Sequence, residues 1–299
     1  MARLKEIKSR LQSVQSTRKI TSAMMMVSSA KQKKAERVIQ HLRPYERTLQ
    51  RILQPLLNGD ERAGGERKEL PSPYMEKRPV KRVAIVAFSS NTGLAGRFND
   101  AVGDKLEEAI NDYRSLGKEN ILLFLVGEKV TKAARNMGFE PVEEYAAIAD
   151  KPHYIDSRRI AKKLMKLFLN KKIDRVEIIY HHFQSTRTQL LTRETLLPIG
   201  FSDLEKEASK STPVDEEYII EPDKDSLLAH LVPKVLQVKL FAAHVDSVTS
   251  EHAARVTAMQ IATDNADDLV EELRLEYNKL RQQSITNELL DIMGGTFGR

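Results

Sequence analysis

The stretch NTGLAGRFN, residues 91–99, sets two glycines behind an apolar run of strand length, where a phosphate-cradling loop could stand. Such loops end in Gly-Lys-Ser/Thr or carry the G-x-G-x-x-G spacing, which turns backbone N–H groups toward the anion. Neither pattern is present, so the glycines read as a tight turn that starts a helix. His181 and His182 are adjacent in a strand-like run, point to opposite faces and make a poor metal pair. His244 and His252 are eight apart, too far for one ligand set on a helix. Asp267, Asp268, Glu271 and Glu272 read as a solvated charge run rather than a metal site. No serine, histidine and acid share a local frame for nucleophilic catalysis. The chain has no cysteine, which excludes disulfides, thiolate metal sites and thiol switches. The expectation is no catalytic, cofactor-binding or metal-binding residue.

Charge and soft side chains say more. Arg3, Lys5, Lys8, Arg10, Arg18, Lys19, Lys31, Lys33, Lys34 and Arg37 are opposed only by Glu6 and Glu36. Residues 264–276 reverse the sign, with six carboxylates against Arg274. A basic arm suits nucleic acid, anionic lipid or an acidic protein partner. A nucleic-acid-binding coiled coil or scaffold lacks an aromatic platform here. A nucleotide-dependent enzyme on the central domain would reveal itself by stabilisation with ATP or NAD. Met24, Met25 and Met26 lie about 100° apart on a helix, so at least one faces away from any single seam. It either meets the chain's own surface or offers another protein an adaptable contact; composition favours the first.

The elements that position these residues follow from periodicity. Leu4, Ile7, Leu11 and Val14 are spaced three and four apart, as in a coiled-coil seam. The series resumes at Thr17, Ile20, Met24 and Val27 after a short step that would alter the supercoil, then continues from Val38 to Leu56. Pro44 should kink this helix. The last segment alternates steps of three and four from Leu228 to Ser284, with no proline or glycine between Pro233 and Gly294. That is a rod on the order of 90 Å. Pro233 marks a kink or the end of a first short turn. Ala242, Thr249, His252, Thr263, Ala266 and Ser284 weaken this stripe. At ~25 cal/mol per Å² of apolar surface, such a seam gains less than a leucine zipper, which suits an enclosing partner.

The middle alternates. Strands are expected at 83–88, 121–126 and 176–180, with weaker candidates at 190–199 and 218–220. Helices are expected at 99–116, 128–137 and 157–170, with Gly117 and Gly138 as stops. The fold class is therefore α/β: a long antiparallel two-helix coiled coil formed by the N- and C-terminal segments, with an inserted Rossmann-like α/β domain. The domains are 1–57 and 223–299 for the two helices, 58–80 for a linker and 81–222 for the α/β domain. No apolar run approaches the ~18–20 residues of a membrane span. The first residues lack the apolar core and cleavage site of a secretory signal, and Glu6 argues against a mitochondrial presequence.

LKEIKSRLQSVQSTRKITSAMMMVSSAK at the start, VAIVAFSSNTGLAGRFN and YIIEPD in the middle, and SEHAARVTAMQIATDNADDLVEELRLEYNKLRQQSITNELLDIMGG at the end resemble the gamma subunit of F-type ATP synthase. The resemblance covers essentially the whole chain, in order. Met25 stands where many members carry a charge, Ala95 and Arg97 alter the usual GL-x-GG-FN pattern, and the linker is longer than typical. The cysteine pair of the chloroplast form is absent, and with it that redox control.

The resemblance implies a central rotor shaft that couples proton flow through the c-ring to ATP synthesis or hydrolysis. Its partners would be three alpha and three beta subunits, epsilon and the c-ring, with no cofactor, nucleic acid, membrane span or catalytic site of its own. Met24, Lys31, Lys33, Lys34, Arg255, Arg281, Gln282, Thr286 and Glu288 fall where the alpha-beta hexamer is met. Tyr218 and Glu221 fall at the foot, near the c-ring and epsilon. The expected location is the cytoplasmic face of a bacterial inner membrane.

Overall fold

The computed structural model describes residues 2–58, 72–199, 221 and 223–296. Tyr218 and the strand candidate at 218–220 lie outside them. The described chain opens on helix α1, Ala2–Asn58, and closes on a helix spanning Lys224–Thr296, called α6 here. Two compact units are present. One comprises Met1–Ala30 with Arg255–Arg299, the other Lys31–Ala254.

The second unit holds five strands: β1 Val83–Phe88, β2 Ile121–Val126, β3 Glu143–Glu144, β4 Arg175–Phe183 and β5 Gln189–Leu197. Their order is β3-β2-β1-β4-β5, with β1 to β4 parallel and β5 antiparallel to β4. The intervening helices are α2 Phe98–Asp112, α3 Glu128–Asn136, α4 Ala146–Ala149 and α5 Tyr154–Leu169. β1 lies mid-sheet and all six of its residues are buried, which is why it reads as a continuous apolar run. Val83, Ile85 and Ala87 join Val102 and Leu106 of α2 and Val130 of α3. Ala84, Val86 and Phe88 join Ile160, Leu164 and Phe168 of α5 and Leu53, Val232 and Leu236 of the long helices.

Two expectations change. Helix α6 runs unbroken through Pro233 rather than ending there. Burial of Val232, Val235 and Leu236 around the proline holds the segment helical despite the lost hydrogen bond. The same helix contains an 18-residue stretch of mean hydropathy 1.3, apolar enough by composition to cross a membrane, where none was expected. In this fold Val235, Leu236, Val238, Leu240, Ala243, Val245 and Val248 are core residues of the second unit.

In the first unit the two helices run antiparallel. Arg3 pairs with Glu276, Arg18 with Asp267, and Thr21 with Thr263, so position rises on one helix as it falls on the other. Ile7, Thr21 and Ser28 of α1 and Met259, Ala266, Val270 and Leu273 of α6 are buried. The α6 stripe follows its expected positions. The α1 stripe does not: Ile20 and Val27 are 60% and 57% exposed. The buried positions instead fall at Thr21 and Ser28, with Val14 and Met25 half-buried. Hydroxyls at 21 and 28 hide the stripe from a search for apolar residues; their small volume suits close helix approach, and Thr21 also meets Thr263 across the seam.

Candidate partner-binding surface on the helix pair

The seam of the first unit sets what remains outside. Thr21 Oγ1 and Thr263 Oγ1 are 2.8 Å apart, and each also lies within hydrogen-bond reach of its own helix, at Arg18 O and Met259 O, so the two hydroxyl protons are shared among three contacts. Such small residues bring the helices close but leave larger apolar side chains facing outward. Ile20, Met26 and Val27 of α1 and Ile261, Leu269 and Leu275 of α6 are all exposed. Of the three methionines, Met24 and Met25 are half-buried and Met26 is 64% exposed.

Charge is arranged in layers. Arg3 and Arg18 of the basic arm are neutralised within the chain, by Glu276 at 3.4 Å and Asp267 at 2.7 Å. This gives Asp267 and Glu276 of the acidic run an internal role. Lys31, Lys33 and Lys34 are exposed on α1 within the second unit.

The other sequence candidates are dispersed along α6. Arg281, Gln282, Thr286 and Glu288 are exposed and lie C-terminal to Glu276, the residue opposite Arg3 at the start of α1. Thr286 Oγ1 donates to Gln282 O at 2.9 Å, and Ser284 Oγ donates to Glu288 Oε1 at 3.2 Å, so these side chains brace one another along the helix. Ile285, Leu289, Leu290 and Met293 are exposed on the same stretch. Arg255 differs: it is buried and already engaged in polar contact. Glu221 is exposed on a bend.

The loop after β1 is tied by hydrogen bonds to the start of α3. A helix N-terminus with free N–H groups is a ready anion site. At α3 those groups are committed: Glu128 N donates to Asn91 Oδ1, Lys129 N to Ser90 O and Val130 N to Ser89 Oγ. Ser90 N donates to Asn99 Oδ1 at 3.0 Å. Gly127 permits this approach. Its φ is +105°, and a Cβ there would lie 2.4 Å from Ser89 O.

The histidines serve packing. His181 stacks on Phe98 with centroids 4.4 Å apart, while His182 reaches Asp246 on the opposite face of β4. His244 stacks on Phe88 at 5.2 Å, with Nδ1 3.2 Å from Ser157 Oγ. Burial pushes both His181 and His244 down to about 4, so both are neutral at neutral pH.

A helix pair that leaves Ile20, Met26, Val27, Ile261, Leu269 and Leu275 exposed, in a chain that also carries an α/β unit, marks a subunit of a protein assembly. The family model for ATP synthase matches residues 3–297. The ATP synthase gamma chain of Bacteroides thetaiotaomicron is 51% identical, covering 99% of each chain, and that of Bacteroides fragilis is 52% identical with the same coverage. A chain in the structure of the Euglena gracilis mitochondrial ATP synthase OSCP/F1/c-ring assembly shares the fold. Its TM-score is 0.62 at 16% identity, covering 99% of this chain and 94% of that one. The chain belongs to the ATP synthase gamma chain family.

Proposed function

We propose that this chain is the central rotor shaft of a bacterial F-type ATP synthase, turned by proton flow through a c-ring and enclosed by three alpha and three beta subunits. The observation that carries the reading is the helix pair's divided apolar set, with Thr21, Ser28 and Ala266 sharing the buried seam with Ile7, Met259, Val270 and Leu273, and with Ile20, Met26, Val27, Ile261, Leu269 and Leu275 left outside. A shaft that meets similar surfaces in succession needs contact area without one deep fit, which methionine and scattered apolar residues supply.

In this reading Met24, Lys31, Lys33, Lys34, Arg281, Gln282, Thr286 and Glu288 meet the alpha-beta hexamer, with exposed ion pairs weak enough to exchange. Arg255, being buried, acts by bracing the helix rather than by direct contact. Residues 81–222 form the foot, and Tyr218 and Glu221 approach the c-ring and epsilon. Helices 1–57 and 223–299 form the shaft, joined to the foot through the linker 58–80. In this reading the chain makes no bond itself. It works at the cytoplasmic face of the inner membrane.

The test is to mix the purified chain with a matched alpha-beta hexamer and epsilon and measure stoichiometry and ATP hydrolysis together. One chain per hexamer with sustained, stimulated turnover is expected. Binding without effect on turnover, or none by a folded chain, would sink the reading. Changing Arg281 and Gln282 to Glu should weaken ATP-driven proton pumping in the assembled enzyme.

A further inference from the structure

Within the second unit, both long helices are tied by polar side chains to a single strand end. On α6, Lys239, Asp246 and Ser250 are spaced seven and four apart and so share one face. Lys239 Nζ lies 3.1 Å from Glu194 Oε2 of β5. Asp246 Oδ2 lies 2.5 Å from His182 Nδ1 of β4, and Ser250 Oγ donates to His181 O at 3.1 Å. On α1, Gln32 and Arg43 are eleven apart and likewise share a face. Gln32 Nε2 donates to Thr186 Oγ1 at 2.8 Å in the β4–β5 turn, and Arg43 Nη2 donates to Phe183 O at 2.7 Å. Arg43 Nη2 also lies 3.8 Å from Asp246 Oδ1. Asp246 thus meets strand β4 and helix α1 together, and its side chain is only 9% exposed.

Apolar burial is non-directional, so a helix lying on a sheet through leucine and valine alone resists turning about its own axis weakly. Hydrogen bonds lose strength steeply as distance and angle depart from ideal, so they resist such turning. Among the described residues, directional bonds from the long helices reach 181–186 and Glu194, and Ser247 Oγ also reaches Phe88 O of β1 at 3.5 Å.

We propose that Asp246, with Arg43 and His182, forms the torque-bearing joint that locks both shaft helices to the α/β body. The proposal rests on the rotor reading. Asp246 is a positioning residue: it holds the helices against β4 so that rotation of the body becomes rotation of the shaft. Gln32, Ser250 and the Lys239–Glu194 pair flank it as secondary ties.

The experiment uses the whole enzyme reconstituted in vesicles, with ATP hydrolysis and ATP-driven proton pumping measured on the same sample. Asp246→Ala should keep hydrolysis near the parental rate. Its pumping per ATP should fall clearly below the parental value. Asp246→Asn keeps an acceptor for His182 and should retain most of the pumping. Val245→Ala, a cavity beside the joint, should lower thermal stability while leaving pumping per ATP unchanged. Arg43→Lys, which replaces the fixed Nη2 that reaches both Phe183 O and Asp246 Oδ1 with a rotatable ammonium, should give an intermediate loss and carries the same comparison should Asp246→Ala not assemble. Parental pumping per ATP in Asp246→Ala or Arg43→Lys, or equal loss in Val245→Ala, would overturn the joint. A parental chain that neither joins the hexamer nor supports pumping would instead overturn the rotor reading.

Discussion

Thr21 and Thr263 face each other across the helix pair with their hydroxyl oxygens 2.8 Å apart. A hydrogen-bonded pair of threonines occupies the position where a coiled coil normally buries leucine. Removing one partner should cost more than removing both, because the survivor is left with an unmet neighbour. Thr21→Val alone should destabilise the full chain by ~1 kcal/mol, while Thr21→Val with Thr263→Val should return close to the parent. Urea unfolding of the three variants checks this. Additive losses would show that the two hydroxyls do not interact.

The burial of Thr21 and exposure of Ile20 make a second test. Ile20→Ser with Val27→Ser should change stability by no more than ~0.5 kcal/mol, as expected of exposed positions. Were these residues seam positions, the pair would cost several times that. Thermal unfolding decides between the two.

Gly127 is needed on two counts, a φ of +105° and the 2.4 Å approach that a Cβ would make to Ser89 O. Gly127→Ala should destabilise the second unit by ~3 kcal/mol or more, combining backbone strain with a clash that no flexible side chain can relieve. Near-parental unfolding in denaturant would contradict that geometry.

His181 and His244 predict acid sensitivity. Each is lowered from 6.5 to about 4 by burial, so between those values the unfolded chain binds more protons than the folded one. Stability is therefore complete above about pH 6.5 and falls as the pH drops toward about 4. Each histidine contributes ~3 kcal/mol over that window. Proton uptake on unfolding at pH 5 measures it directly. His244→Gln should remove about one proton from that uptake, and an unchanged uptake would show that His244 is protonated in the fold.

How much could be read beforehand depended on whether a residue's role is local. β1 and β2 were legible to the residue, because a strand buried on both faces writes itself as VAIVAF or ILLFLV. The α6 stripe was legible from Met259 to Ser284, since Val270 and Leu273 anchor its phase. The α1 stripe was lost after Val14, where Thr21 and Ser28 took the seam and left Ile20 and Val27 outside. The loop at 91–99 read correctly as a turn, but its ties depend on Asn91 accepting from Glu128 N of α3 and Asn99 accepting from Ser90 N. The joint at Asp246 gave no local signal. Arg43, His182 and Asp246 lie in three distant segments, and only the α/β topology brings them together. Arg255 was matched as a contact residue by family position, and its burial is a tertiary fact that the motif does not carry.

The central claim is rotation, and the absence of cysteine makes it directly observable. Lys132 is exposed on α3, so Lys132→Cys supplies a single attachment point on the α/β body. With the alpha-beta hexamer fixed to a surface and a bead on that cysteine, added ATP should turn the bead continuously in one direction. A complex that hydrolyses ATP at full rate while the bead stays still would contradict the account.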